Sequence, residues 1–291
     1  MTNTVRHFLP WFDRRGRFSA PRLAVSAALV APAVHLLWRA LGDDLGPRPF
    51  TEAIHVSGDW AVRLLVLSVL ATPLRLVSGS SWPIGLRRLV GVTAFAYALL
   101  HFALTAIELG LDPGRIALEL ALRPWLTIGF VAFVGLLALA ATSTDGAIRR
   151  LGAVWRRLHG LVHPIVVLAI VHVFLQSKLD LAQGALLSGV AIGGLAVRVA
   201  AERGARNGFA LTGVATIAAL LGGAAAEVMW FALKTTRPLW PMVVAQVDAS
   251  VRLPPAWIAA GLVAAVGGAA AVARGLAAAK SDRTRGATVS G

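Results

Sequence analysis

The chain has 291 residues, of which 57% are hydrophobic and only 14% are charged, and its mean hydropathy is +0.73. Water-soluble domains of this length do not ordinarily show such values, so the composition excludes a soluble enzyme and indicates an integral membrane protein. The net charge of +14 does not indicate a nucleic-acid partner, because the basic residues separate apolar segments instead of clustering on a soluble face.

Eight apolar runs are long enough to cross the ~30 Å hydrocarbon core of a bilayer, which takes about 20 helical residues. The runs are continuous and rich in Leu, Ala and Val, whereas strands of a membrane barrel alternate in polarity over about 10 residues. The sequence therefore predicts an all-α fold, a polytopic transmembrane helical bundle. The runs lie near residues 23–41, 60–77, 89–107, 123–141, 159–176, 183–201, 209–233 and 255–276.

The order of these runs divides the chain into three predicted parts. Residues 1–22 form a basic arm, and residues 23–206 hold six spans whose connections are too short for a soluble domain. Residues 207–291 form an extension of two Ala/Gly-rich spans and a charged tail. All seven histidines precede this extension, so we expect it not to ligate any cofactor that imidazoles bind.

The orientation follows from the charges in the connections. Most of the 28 Lys and Arg residues lie in the arm, the tail and the alternate connections that share their side, whereas most acidic residues lie on the other side. Cytoplasmic loops retain Lys and Arg, so both termini are predicted to be cytoplasmic. Tryptophans flank the spans as an interfacial aromatic belt with no expected stacking function, and they are Trp60, Trp82, Trp125, Trp155, Trp240 and Trp257.

Two intramembrane histidines are predicted to lie at the same depth. His101 lies 13 residues beyond Arg88, and His172 lies 13 residues beyond His159, so each is ~20 Å from the inner surface at 1.5 Å per residue. The third and fifth predicted spans run in the same direction, which places both imidazoles in the outer half of the membrane. The chain has no cysteine, which leaves histidine ligands or non-covalent binding for a redox cofactor. Two such imidazoles are what a b-type haem requires.

A second candidate site lies near the inner surface. His159 and His163 are four residues apart and share a helix face, whereas His172 points about 140° away from His159. Together with Arg156 and Arg157, these two histidines would hold a second haem, a flavin phosphate or a quinone headgroup.

Simpler interpretations apply to other polar residues near the spans. A lone intramembrane histidine can hydrogen-bond a neighbouring helix, and this alternative remains open for His35 and His163. Arg63, on the outer side, is predicted either to pair with a haem propionate or to extend to the interface. His55 is predicted to be a surface residue in the connection before the second span.

Closely spaced motifs resemble one known family. They are Arg87-Arg88-Leu89-Val90-Gly91 through Phe95 and Tyr97 to His101, Arg123-Pro124-Trp125-Leu126-Thr127, Thr142-Ser143-Thr144, Trp155-Arg156-Arg157-Leu158-His159 through His172, and upstream Ile54-His55-Val56-Ser57-Gly58 and Thr72-Pro73-Leu74. Over roughly residues 20–200 the chain resembles the MsrQ (YedZ) family within the ferric-reductase-like transmembrane superfamily. MsrQ proteins are haem-binding membrane subunits of the bacterial periplasmic methionine sulfoxide reductase system. The family's ligand positions map onto His101, His159 and His172.

The resemblance implies an electron-transfer subunit of the bacterial inner (plasma) membrane without a complete active site of its own. Family members take electrons from the quinone pool or a cytoplasmic flavin reductase and carry them through haem b, with FMN described as a further cofactor. They pass the electrons to a periplasmic molybdenum-cofactor subunit, MsrP, which reduces methionine sulfoxide in oxidised proteins.

Two alternatives to this function remain open at the level of the sequence. Another ferric-reductase-like transmembrane oxidoreductase would normally carry an attached flavin and NADPH module. A transporter would use the buried histidines as a proton relay, and it would be expected to show paired broken helices and inward-facing carboxylates. Glu227 is the one acidic residue within a predicted span, and it lies in the extension.

Overall fold

The computed structural model describes residues 11–12, 17–177, 181–236, 238–250 and 252–289, with side chains up to residue 281. Most of the predicted basic arm and the end of the charged tail therefore lie outside the described residues. Within the described ranges the chain is helical and forms no strand, and one isolated bridge joins Phe12 and Phe18. The predicted all-α fold is confirmed.

The helices of the described residues account for every predicted span. In chain order they are α1 (Ala20–Leu41), α2 (Pro49–Val69), α3 (Ala71–Ser78), α4 (Trp82–Glu108), α5 (Pro113–Leu122), α6 (Pro124–Ala141), α7 (Asp145–Leu151), α8 (Ala153–Gly160), α9 (Val162–Gln176), α10 (Ala182–Glu202), α11 (Gly208–Lys234), α12 (Trp240–Ala245) and α13 (Pro255–Val289). In this part of the chain, seven helical segments are long and apolar enough to cross a membrane, or eight if the bent pair α2 and α3 is one span. The chain is a multi-pass membrane protein.

The second span differs from its prediction. Helix α2 begins at Pro49 instead of near residue 60, and a bend of 42° separates it from α3. The early turns of α2 bury Ala53, Ile54 and Ser57 on one side and carry polar residues on the other. Because the first half of α2 is amphipathic, it contains no continuous apolar run that would predict a membrane span there. The prediction for His55 was therefore wrong in its location, because this exposed residue lies within α2.

Contacts divide the chain into two compact units. The first comprises residues 1–68 and 86–169, and the second comprises residues 69–85 and 170–291. Within the second unit, α11 and α13 of the predicted extension pack against each other and against α10 and α3. Helices α11 and α13 therefore share one packed unit with α10. The domain boundary predicted between residues 206 and 207 stays a prediction.

Glycines allow the helices of the second unit to approach closely. A Cβ atom added at Gly189 of α10 would lie 2.6 Å from the backbone oxygen of Ala219 in α11 and 2.9 Å from the Cβ of Ala259 in α13. Transmembrane helices associate largely through such close packing. The hydrophobic effect does not drive their association, because lipid tails are as apolar as the helix surfaces.

Replacing Gly189 with alanine is expected to destabilise the protein by about 1–3 kcal/mol, the usual cost of overpacking. The atom that the new methyl group meets is a backbone oxygen, so a side-chain rotation cannot relieve the contact. Unfolding of the purified protein in mixed detergent micelles measures this loss. Gly213→Ala in α11 is the matched control, since nothing lies within 4 Å of its added Cβ, and equal stability losses in both variants would contradict the prediction.

Candidate functional site

Helix α4 directs the imidazole of His101 towards the backbone of α2. The Nδ1 atom of His101 lies 2.8 Å from the carbonyl oxygen of Ile54. A carbonyl oxygen only accepts hydrogen bonds, so Nδ1 carries the hydrogen and donates it. The lone pair of this tautomer lies on Nε2, and the backbone contact fixes the ring orientation in the way that metal-binding histidines require.

Gly58 provides the space that this contact needs. It follows Ile54 by one helical turn, and a Cβ atom added at Gly58 would lie 2.8 Å from Nδ1 and 3.0 Å from Cε1 of His101. A larger residue at this position therefore displaces either the imidazole or the helix. Gly58 belongs to the family-like motif Ile54-His55-Val56-Ser57-Gly58, but the motif itself gives no sign of this role.

Tyr97 fixes α4 to α1 one turn before His101. Its hydroxyl donates to the carbonyl oxygen of Leu29 at 2.9 Å and accepts from the backbone N–H of Ala33 at 3.0 Å. In a regular helix those two backbone groups would hydrogen-bond to each other. The Tyr97 hydroxyl therefore bridges this pair of backbone groups in α1, beside Pro32. The phenol is buried, with 5% of the residue exposed. Helix α4 is thus held to α1 by Tyr97 and to α2 by His101.

The inner candidate site contains a compact contact between His159, Thr142 and Trp155. The Nε2 atom of His159 lies 3.0 Å from the Thr142 hydroxyl, which itself lies 2.7 Å from the carbonyl oxygen of Ala138. Because the hydroxyl gives its one hydrogen to that carbonyl, it accepts from His159 Nε2–H, and the imidazole lone pair lies on Nδ1. His159 and His101 are therefore held in different tautomers.

Trp155 covers one face of the His159 ring. The two ring centroids are 4.0 Å apart with 22° between the planes, and the indole N–H of Trp155 donates to the carbonyl oxygen of Thr142 at 2.9 Å. The prediction that the flanking tryptophans have no stacking function was wrong for this residue. A sequence pattern shows only that Trp155 precedes His159 by one helical turn, which is the spacing at which two side chains meet.

The remaining residues of the predicted inner site lie on the same short segment. Arg156 and Arg157 of α8 are exposed. Arg87 of α4, which lies outside this segment, adds a further positive charge near His159. His163, at the start of α9, is exposed, and its Nδ1–H donates to the carbonyl oxygen of Gly160 at 3.1 Å. The predicted inner site thus combines an imidazole held by hydrogen bonding and stacking with several cationic side chains.

Arg63 has protein partners within α2. Its guanidinium lies 3.3 Å from the carboxylate of Asp59 and 5.3 Å from the centroid of the Trp60 ring. The predicted contact with a haem propionate stays a prediction, and a propionate at this place would compete with Asp59.

His172 lies in the second half of α9, which belongs to the second unit. His101 belongs to the first unit, so the joint binding of one iron by these two imidazoles stays a prediction. Among the described residues, no group of three or more His, Asp or Glu side chains could hold a metal ion. Haem is compatible with such a donor set, because the porphyrin supplies most of the ligands and the protein adds only axial imidazoles.

Comparison with known proteins decides the family. Residues 57–171 match the family described as ferric reductase like transmembrane component. A relative from Xanthomonas axonopodis pv. citri, named protein-methionine-sulfoxide reductase heme-binding subunit MsrQ, is 39% identical over 178 residues, or 59% of this chain and 82% of the relative. The chain belongs to the MsrQ family.

Further MsrQ relatives support the same assignment. Proteins of this name from Rhodospirillum rubrum and Ralstonia nicotianae are 38% and 37% identical over 199 and 194 residues. These alignments cover 67% and 65% of this chain and 93% and 89% of the two MsrQ proteins. No solved structure matches the chain. The family predicted from the motifs is therefore confirmed, and part of this chain extends beyond the MsrQ alignments.

Proposed function

We propose that this chain is a haem-binding electron-transfer subunit of the membrane, with His101 as an axial ligand. The relatives named heme-binding subunit MsrQ support the cofactor. The single observation that carries the assignment is the hydrogen bond from His101 Nδ1–H to the carbonyl oxygen of Ile54. This bond selects the tautomer whose Nε2 can bind iron, and partners of this kind orient metal-bound histidines and raise their basicity.

His172 is proposed as the second axial ligand, on the strength of the equal depth that the sequence predicts. The chain has no cysteine for covalent haem attachment, so the proposed haem is of the b type. When bound, it would supply a one-electron centre whose potential the protein adjusts through ligation, hydrogen bonding and burial. His159 is the third proposed ligand position, and its site would hold a second haem, FMN or a quinone headgroup. The cationic side chains of Arg156 and Arg157 suit the phosphate of FMN.

We further propose that electrons enter at the cytoplasmic side and leave at the periplasmic side of the inner membrane, with both termini cytoplasmic. The donors would be the quinone pool or a flavin reductase. The acceptor would be a periplasmic molybdenum-cofactor subunit of the MsrP type, which the names of the relatives support because they place MsrQ in a methionine sulfoxide reductase.

The surroundings of Glu227 argue against the alternative of a proton-relay transporter. This carboxylate is 2% exposed, and it pairs with Arg252 at 3.0 Å and accepts from the side-chain amide of Gln246 at 3.3 Å. Both partners belong to the segment between α11 and α13, so the buried charge is compensated locally, as a buried carboxylate in a span requires.

The test uses the purified full-length chain and a purified molybdenum-cofactor subunit. Pyridine-haemochrome analysis is expected to give at least one b-type haem per polypeptide. The chemically reduced haem is expected to reoxidise rapidly only when the molybdenum subunit and methionine sulfoxide are both present. A folded but colourless preparation would refute haem binding. A reoxidation rate that is the same with and without methionine sulfoxide would refute the proposed acceptor. Supplying either a quinol or a reduced flavin reductase then separates the two proposed donors.

A further inference from the structure

The last turn of α9 is held by a slot that the following helices form. Phe174 is 5% exposed, and its ring stacks on that of Trp230 in α11 with 5.3 Å between the centroids and 29° between the planes. On α10, a Cβ atom added at Gly184 would lie 2.8 Å from two atoms of the Phe174 ring. The ring is therefore confined between Trp230 and a glycine surface.

Trp230 is itself supported within α11. The Nζ atom of Lys234, one turn further on, lies 5.1 Å from the centroid of the Trp230 ring. Cation–π contacts of this kind favour a fixed ring position. The aromatic wall of the slot is thus part of an ordered helix and does not depend on a loop.

The confinement of Phe174 also restricts the orientation of His172. The two residues are separated by two positions, or about 200° around the helix, so they lie on nearly opposite sides of α9. A rotation of the helix end that turned His172 would have to pull Phe174 out of its slot. Helix ends fray readily without tertiary contacts, and α9 ends at Gln176, one turn beyond His172.

We infer that Trp230 is a positioning residue for His172, and that this is a role of the histidine-free extension at residues 207–291. The inference rests on the proposed function, in which His172 is an axial ligand. The extension contains no histidine, yet its α11 supplies the aromatic wall that fixes the direction of the ligand's helix.

The experiment compares Trp230→Ala and Trp230→Phe with Trp240→Ala in the full-length, haem-loaded protein. Trp240 also belongs to the extension, but it is 72% exposed. We expect Trp230→Ala to retain haem about two- to tenfold less well against an apoprotein acceptor, the range that an aromatic pair supports. We also expect a shifted haem midpoint potential and an altered low-spin electron paramagnetic resonance signal, with recovery in Trp230→Phe and no change in Trp240→Ala.

A second variant changes the glycine wall of the slot and leaves Trp230 in place. Gly184→Ala is expected to displace Phe174 and to give the same spectral change, so the inference stays testable if Trp230→Ala fails to fold. Wild-type spectra and potential in both slot variants would overturn the inference, as would equal changes in Trp240→Ala.

His172→Ala separates this inference from the proposed function. If His172→Ala loses the low-spin signal while both slot variants keep it, the ligand assignment stands and the positioning role fails. If His172→Ala leaves the signal unchanged, the ligand assignment fails, and the positioning role fails with it.

Discussion

The His101→Ala variant is expected to lose the proposed outer haem, or to retain it only as five-coordinate iron. The substitution removes the Nε2 ligand and also the Nδ1–H that donates to Ile54, and nothing in an alanine side chain can replace either group. In both cases the low-spin spectrum of that haem is expected to disappear. If the haem is lost, its content by pyridine haemochrome falls by about one haem per chain, and if it is retained, the content stays the same and the spectrum becomes that of five-coordinate iron.

His35→Ala is the matched control for this prediction. His35 lies in α1, another apolar helix of the first unit, and its side chain is exposed. We expect this variant to keep the haem content and the low-spin spectrum of the unaltered chain. An unchanged spectrum in His101→Ala would show that His101 is not a ligand, whereas equal losses in both variants would show that any intramembrane histidine substitution disturbs the bundle.

The sequence predicts the spans well because their signal is local. Continuous apolar runs of about 20 residues leave few structural choices in a bilayer, and each run indeed falls on a helix or a helix pair. The first half of α2 is the exception. Residues 49–59 form an amphipathic helix, which packs against its neighbours on one face and carries polar side chains on the other. Its boundaries depend on the neighbour that covers its apolar face, and no short window of sequence contains that information.

The candidate site was predictable in its chemistry but not in its contacts. His101 stands out because a polar ring in an apolar segment needs a partner. Its partner is a backbone oxygen, however, and the identity of Ile54 carries no sign of that role. The contact between Thr142 and His159 likewise joins residues 17 positions apart, with the whole of α7 between them in the chain. Such contacts follow from tertiary packing, so a single sequence does not reveal them.

The joint binding of one iron by His101 and His172 illustrates the same limit. Their equal predicted depth follows from helix rise and from a parallel direction of two spans, which are local quantities. Whether their helices face each other depends on how the bundle closes around them. The spectra of the His101→Ala and His172→Ala variants, together with the haem stoichiometry, test this joint binding.

Gly58→Ala is expected to weaken haem binding without removing a ligand. The new Cβ atom would lie 2.8 Å from Nδ1 of His101, so the imidazole must move away from the carbonyl oxygen of Ile54 or α2 must move away from α4. Loss of a partner that orients a metal-bound histidine typically lowers metal affinity about 10–100-fold. The weakened hydrogen bond also makes the imidazole a poorer electron donor to ferric iron, so the midpoint potential of the haem is expected to rise.

A second glycine in the first unit separates this effect from general overpacking. In Gly135→Ala the added Cβ would lie 2.8 Å from Cδ1 of Ile165, which is the same clearance against the end of an apolar side chain. Both variants are expected to lose stability, but only Gly58→Ala is expected to shift the potential measured by spectroelectrochemical titration. A potential that moves equally in both variants, or in neither, would mean that the backbone contact of His101 does not tune the haem. The space that Gly58 leaves beside His101 would then serve packing alone.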